Sequence, residues 1–410
     1  MVAAWARTRV LRGVRCVLVA TAGLTVGGLA LVWPFSAGAA VPAPLPGVAA
    51  PGMTAGPVVT DAGLVWQSST AIELTDAAGN STTLAAVVGT PAMGAFDDAW
   101  FGLGWWAVVR PSGVFSGPIG GTLRKLSLLQ RCQAKLYALS GEQLFAALAG
   151  GCSAGHTSRG ALVEIDLRTH RWRVLAPLAG APAALAASGS FVALAYWRHG
   201  GEASRTSRAR LFVRVFDAQT GALVSQIAQP ASVPGVASFA HIGNVQVDPF
   251  GDVLVHMGDE RAAREPPGGG PGPPSGQDWW WWANPKATVA RLLLEPGAHA
   301  ELSDRRVAFF SGDSIAVMDL HSGSTRTIVT FHGTATPYYL GFSGNELAWA
   351  QQSRVLNVTV AGQLVTCTWV PLTPTQLVGI DLRSIGSAPL VVDGEPIPQQ
   401  YANEPGCAFT

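Results

Sequence analysis

The sequence predicts an all-β protein: a β-propeller, best read as seven blades of four antiparallel strands, with six or eight blades as the alternatives. Three observations carry this reading. The stretch 306–331, RVAFFSGDSIAVMDLHSGSTRTIVTF, holds three short strand-like runs separated by two tight turns. Degenerate copies of it recur between residues 57 and 393, and four-stranded units repeated every few tens of residues are the mark of propeller blades. An Asp or Asn opens the same turn in copy after copy, at Asp76, Asp166, Asp217, Asn284, Asp319 and Asp381, which sets the register between repeats.

The chain opens with Arg7, Arg9, Arg12 and Arg15, followed by an uncharged run over 16–33 and then Ala37-Gly38-Ala39. Charge, length and a small-residue cleavage site make residues 1–39 a secretory signal; the length of the apolar run leaves an uncleaved membrane anchor as the alternative. Either way the expected location is extracellular, periplasmic or cell-envelope. Residues 40–56 are Ala, Pro and Gly without periodicity and read as linker. The propeller is expected over 57–393 and a C-terminal tail over 394–410. A 410-residue chain with 48% hydrophobic and 13% charged residues can bury a large core. Removing residues 1–39 takes away four Arg and no acid, moving the net charge from +1 to −3, which argues against a nucleic-acid partner.

Blade one takes 63–66, 71–74 and 82–88. Blade two takes 105–109 and 122–129 around a Pro/Gly loop. Blade three takes 135–139, 143–148, 162–167 and 172–175; blade four takes 183–187, 191–197, 211–216 and 222–227; blade five takes 243–247, 252–257, 279–282 and 288–294. Blade six is the repeat quoted above, with 298–304 as its first strand. Its run 307–310 is β-branched and aromatic between turn formers, the pattern of a strand buried on both faces. Asp319 can accept backbone N–H groups ahead of it and Gly323 tolerates positive φ, so 319–323 is a hairpin turn. Thr325, Thr327, Val329 and Phe331 alternate with their neighbours as in a half-exposed outer strand. Blade seven takes 337–342, 346–350, 377–382 and 388–392.

Turns between third and fourth strands stay short, while the second-to-third connections swell at 150–160, 199–209, 258–277 and 351–375. Antiparallel alternation puts those connections on one face, together with the links between blades. Repeat arrays commonly carry insertions on their binding face, so this face is the expected working surface. Cys132, Cys152, Cys367 and Cys407 remain after the signal, and an even number in an exported chain reads as disulfides. Three pairings exist. Cys132–Cys152 and Cys367–Cys407 are preferred, because a blade link, two swollen connections and the tail would share one rim.

The run Trp279-Trp280-Trp281-Trp282 has two readings. It is an aromatic platform for a sugar or partner, or a third strand whose indoles alternate between neighbouring blades. The strand is the stronger reading, with Trp279 partly exposed beside a Pro/Gly-rich stretch. Arg198, His199, Arg205, Arg208 and Arg210 form a basic loop, either a solvated charge run or a site for an anionic glycan, lipid headgroup or acidic protein. Asp97, Asp98, Asp259, Glu260 and Glu265 are the carboxylates considered for acid/base work, and His241 and His256 read as core histidines. No nucleophile-elbow, phosphate-loop or zinc-ligand motif occurs, so no catalytic residue, metal or cofactor is expected.

The repeats FFSGDSIAVMDLHSGSTRTI, LFVRVFDAQTGALV and LVEIDLRTHRW resemble the TolB-like and WD-type propellers of exported bacterial proteins. The resemblance covers most of 57–393 and implies a protein-interaction scaffold; it fixes no residue roles. The chain lacks the regular Gly-His and Trp-Asp dipeptides of true WD repeats and the S-x-D-x-G-x-x-W boxes of sialidase-like propellers. The expected function is non-enzymatic binding of a protein or cell-surface partner through the face carrying the long loops, with membrane contact only if the N-terminal segment stays uncleaved. The alternative is a glycan-active enzyme, a lyase or hydrolase, or a glycan-binding module on the same scaffold.

Overall fold

The computed structural model describes residues 47–397, apart from 89–95, 97, 128, 130, 131, 133, 149–159, 179, 199–209, 231–238, 260–277, 295–298 and 362–363. The chain divides into two units, Met1–Val41 and Pro42–Thr410, and the first lies outside the described residues. No helix among the described residues is long and apolar enough to cross a membrane; the expected signal or anchor lies outside that set.

The strands form a seven-bladed propeller of antiparallel sheets. A short strand, β1 (Val48–Ala49), comes first. Blade one is β2 (Met53–Thr60), β3 (Gly63–Ser68), β4 (Ala71–Thr75) and β5 (Ser81–Ala86). Blade two is β6 (Ala99–Phe101), β7 (Trp105–Arg110), β8 (Gly113–Pro118) and β9 (Arg124–Lys125). Blade three is β10 (Ala134–Ser140), β11 (Gln143–Leu148), β12 (Ala161–Asp166) and β13 (Trp172–Pro177). Blade four is β14 (Ala181–Ser188), β15 (Phe191–Arg198), β16 (Arg210–Asp217) and β17 (Leu223–Ala228). Blade five is β18 (Phe239–Val247), β19 (Val253–Asp259), β20 (Asp278–Ala283) and β21 (Arg291–Leu294). Blade six is β22 (Ala300–Ser303), β23 (Arg306–Phe310), β24 (Ser314–Asp319) and β25 (Thr325–His332). Blade seven begins with β26 (Ala335–Ser343), β27 (Glu346–Ala361), β28 (Leu364–Pro371) and β29 (Gln376–Asp381).

Blade seven differs from expectation in three ways. Its outermost strand is β1, which pairs antiparallel with β29, so strand structure begins inside the stretch expected to be linker. The strand expected at 388–392 is β30 (Leu390–Asp393); it lies parallel to β25 and adds a fifth strand to blade six. The third difference is the swollen connection 351–375, which is a hairpin. Residues Arg354 to Ala361 of β27 pair with Leu364 to Pro371 of β28 beyond the point where β27 leaves its blade partners. Sequence alternation cannot say which edge a strand joins. β1 and β30 have the pattern of outer strands, and the free edges of blades seven and six are where such strands can pair.

Among the described residues, seven apolar clusters hold the ring, one at each junction between blades. The alternation of side chains along each strand sends them to both neighbours. Thus Leu144, Ala146 and Leu148 pack toward blade two, while Phe145 and Ala147 pack toward blade four. Burying a side chain of this size contributes roughly 1.5–3 kcal/mol, and Trp106, Trp281 and Trp349 are among the largest fully buried groups. Polar ties cross the junctions too. Gln246 accepts from Leu302 N at 2.6 Å and donates to Ala300 O at 3.0 Å, and the Asp248 carboxylate accepts from Arg305 N at 2.7 Å.

The repeated Asp and Asn turns form as expected from their local chemistry. Asp166 Oδ1 accepts from Arg168 N and Thr169 N, Asp217 Oδ1 from Thr220 N, and Asp319 Oδ1 from His321 N and Ser322 N, all within 2.7–3.0 Å. Asp76 and Asn284 make the equivalent bonds to Ala78 N and Lys286 N at 2.9 Å. Each carboxylate caps its own turn, and the row is architectural.

Candidate functional site

Strand direction gives the propeller two distinct faces. Turns between first and second strands and between third and fourth strands lie on one; second-to-third connections and blade links lie on the other. The connections at 149–159, 199–209 and 260–277 start and end on the second face, and their own structure lies outside the described residues.

On the short-turn face, a cavity of about 440 Å³ opens at the seam between blades seven and one. Blade one supplies the turn Thr60-Asp61-Ala62-Gly63, blade two Leu103, and blade seven Ser343, Asn345, Glu346, Asp381 and Arg383. The rim is rigid. Gly63 has φ +135°, and a Cβ there would come within 2.2 Å of Thr75 O, so the turn requires glycine. Asp61 N donates to Leu103 O, and Leu382 N to Asn345 O, both at 2.8 Å. Glu346 and Asp381 face each other across the β27–β29 ladder.

Electrostatically the cavity carries three carboxylates against one guanidinium. Arg383 lies 2.6 Å from Asp381 and also donates its backbone N–H, and the hydrogen bond from its side chain holds the Asp381 carboxyl below the usual range. Glu346 moves the other way. Burial pushes its carboxyl up, and the charges of Asp381 and Asp61 add to that, partly offset by Arg383. Asp61 and Glu346 are the two lining carboxylates outside the Asp381–Arg383 ion pair.

On the long-connection face, the β27–β28 hairpin rises from blade seven. At its base Arg354 lies between two rings, 5.5 Å from the centre of Tyr338 and 5.2 Å from that of Trp369. Tyr338 is itself held by the hydroxyl of Thr375 and packs edge-on against Tyr339, whose hydroxyl donates to Thr54 O at 2.8 Å. Arg354 Nε is buried without a hydrogen-bond partner, and burial pulls its guanidinium below the usual value. Trp369 is 51% exposed.

Trp279 behaves as core. It is 8% exposed and packs with Trp281 in the junction between blades four and five, while Trp280 packs, with Trp282 beside it, in the junction between five and six. The strand reading of the tryptophan run therefore holds, and the partial exposure expected of Trp279 does not. The alternation of the strand sends its four indoles into the junctions with the two neighbouring blades. Arg198 ends β15 and Arg210 begins β16, while His199, Arg205 and Arg208 lie outside the described residues. Cys132 is buried and is one half of a disulfide. Cys152 and Cys407 lie outside the described residues, and Cys367 is described only as part of β28, so the expected pairings fall outside that set. Asp98 is exposed with φ 46°, and His256 stacks on Trp280 at 4.6 Å. The main chains of Asp259 and His241 are strand, while Asp97, Glu260 and Glu265 lie outside the described residues.

Sequence reasoning missed Asp61, Glu346, Arg383, Tyr338, Arg354 and Trp369. Asp61 lies in an ordinary-looking turn and Glu346 at the start of a strand, and only ring closure brings them into one cavity. Trp369 lies within 351–375, whose sequence reads as a loop.

No family model and no curated protein sequence matches the chain. Among solved structures, it is similar to an oligogalacturonate lyase from Vibrio parahaemolyticus, at 9% identity and TM-score 0.44 over 88% of this chain and 94% of that one. A putative TolB from Agrobacterium tumefaciens matches at 12% identity and TM-score 0.31 over 66% and 78%. The acylaminoacyl peptidase of Pyrococcus horikoshii matches at 9% identity and TM-score 0.37, and the chain spans 42% of its length. Likenesses this distant carry no residue roles, and the seven-bladed propeller rests on the strand pairing itself.

Proposed function

We propose that the protein is an exported, non-enzymatic β-propeller that binds a protein or cell-surface partner through the face carrying the long connections. The observation that supports this reading most is the β27–β28 hairpin. Its eight paired positions reach roughly 25 Å at about 3.3 Å per residue, and among the described residues the two segments pair only with each other. An extended two-stranded arm with open edges suits recognition of a partner through main-chain pairing and side-chain contacts. The test is affinity capture from the native cell envelope, comparing the full chain with a variant whose residues 359–366 are replaced by a two-residue turn, which keeps the pair Val358 and Cys367 at the shortened end. Loss of a specific partner with an unchanged circular dichroism spectrum is the expected result. Equal capture by both forms would overturn it.

A second reading has its own support in the seam cavity: a glycan-active enzyme using Asp61 and Glu346. Paired carboxylates with one raised pKa suit acid/base cleavage of a glycosidic bond. Sugar fragments released by the purified chain, and abolished in Asp61→Asn and Glu346→Gln, would establish this reading in place of the first.

A further inference from the structure

We propose that the Tyr338–Arg354–Trp369 stack is the anchor of the partner-binding face and captures the carboxylate side chain of an acidic peptide segment. The inference rests on the reading that this face binds a protein. Arg354 is the first element of the argument. A guanidinium cannot shed its charge in the way a lysine can, so when it is half-buried it needs a counter-charge or a ring face. Here both ring faces come from the protein, and no carboxylate among the described residues pairs with it. The guanidinium carbon lies 5.5 Å and 5.2 Å from the two ring centres, within cation–π range of both. An oxygen pair supplied from outside would meet its terminal N–H donors, and paired N–H···O bonds are how arginine meets carboxylates best.

The position is equally specific. Arg354 N donates to Thr334 O at 2.9 Å, which pins the backbone where the blade link and the hairpin meet. The backbone is thus held before any ligand arrives, the two rings crowd the side chain, and pre-organisation of this kind raises affinity. Trp, Tyr and Arg are the residues that dominate the energetics of protein interfaces. Trp369 adds an indole that is half exposed at the rim of the stack. A glycan platform would need neighbouring indoles. The only tryptophans among the large exposed apolar groups described are Trp172 and Trp369, which belong to blades three and seven. That separation favours a peptide over a sugar.

The experiment uses the full-length chain and a fluorescein-labelled nonapeptide of alternating Glu and Ala, with the Gln-Ala peptide as control, read by fluorescence anisotropy at low salt. The expected result is salt-sensitive binding of the acidic peptide alone, weakened tenfold or more in Arg354→Gln and several-fold in Trp369→Ala. Arg354→Lys should recover only part of the affinity, since the charge returns without the planar fork. Should Arg354→Gln not fold, the salt dependence and the loss in Trp369→Ala decide the matter. Binding that is absent, or equal in wild type and Arg354→Gln, overturns the proposal. So does tighter, Arg354-dependent binding of an oligouronate, which would assign the stack to an acidic glycan. If shortening the hairpin abolishes capture of the envelope partner while Arg354→Gln leaves it intact, the anchor fails and the partner-binding reading stands.

Discussion

Val48 pairs with Leu377 across an antiparallel ladder, so a residue from the front of the propeller completes a sheet otherwise built from 335–381. The last blade is thereby fastened to the first by hydrogen bonds as well as by the apolar cluster that joins Met53, Leu64 and Trp66 to Ala348 and Leu377.

That closure can be weakened at one atom. Ala50 is fully buried, and its N–H donates to Thr375 O at 2.9 Å. Proline there removes the donor, leaves a carbonyl unpaired and adds ring atoms to a filled site. Ala50→Pro should cost about 1–3 kcal/mol, read as a lower urea midpoint with unchanged slope.

Acid should unfold the protein by way of its repeated turns. The carboxyls of Asp76, Asp166, Asp217, Asp319 and Asp381 all lie below their ordinary value. For Asp76 and Asp381 the largest cause is a side-chain hydrogen bond, from Asn80 and Arg383; for the others it is a backbone N–H. Near pH 4 the unfolded chain therefore binds more protons than the folded one. The stabilisation is present above the ordinary carboxylate pKa of about 4 and is lost as pH falls through the folded values. Asp252 and Glu346, raised chiefly by burial, act in the opposite direction and withdraw stability as pH climbs past their ordinary values, which softens the slope. The urea midpoint should drop between pH 4 and pH 2.5, and less steeply in Asp319→Ala. A midpoint that rises on acidification contradicts the role given to these turns.

The tryptophan run offers a sharp contrast in stability. Trp281 is 1% exposed, so Trp281→Ala should cost about 3–5 kcal/mol in thermal or chemical unfolding. Trp172, on the outer strand of blade three, is 39% exposed, and Trp172→Ala should fall within about 1 kcal/mol of wild type. Equal losses would mean that the strand assignment of 279–282 is wrong.

Peptide mapping without reduction tests the sulfur pairing. The expected fragments join Cys132 to Cys152 and Cys367 to Cys407. Recovery of Cys132 bridged to Cys367 or Cys407 would replace that scheme.

Much of this architecture was legible in the residues. Apolar runs such as 143–148 and 306–310 alternate between two buried faces, and the Asp-led turns bond to groups within their own turn, so both signals are local. β8 was less visible because GVFSGP is rich in the residues that usually break strands. β1 lies in a stretch that reads as linker and β30 in one that reads as a blade-seven strand, because pairing with Leu377 and with Val329, far off in the chain, leaves no local trace. The same holds for the seam cavity. Asp61 and Glu346 come together only when the ring shuts, whereas Arg354 and Trp369 are brought together by a hairpin register that a loop reading does not supply.

The edge strands β1 and β30 also decide how the molecule yields to mechanical pull. Tension applied between them falls on two short ladders, Val48–Ala49 against Gln376 and Leu377, and Leu390–Asp393 against Val329 to His332. These lie on adjacent blades, so blades two to five stand off the force path. Stretched by its ends, the propeller should unzip its outer stitching first and keep most of its ring.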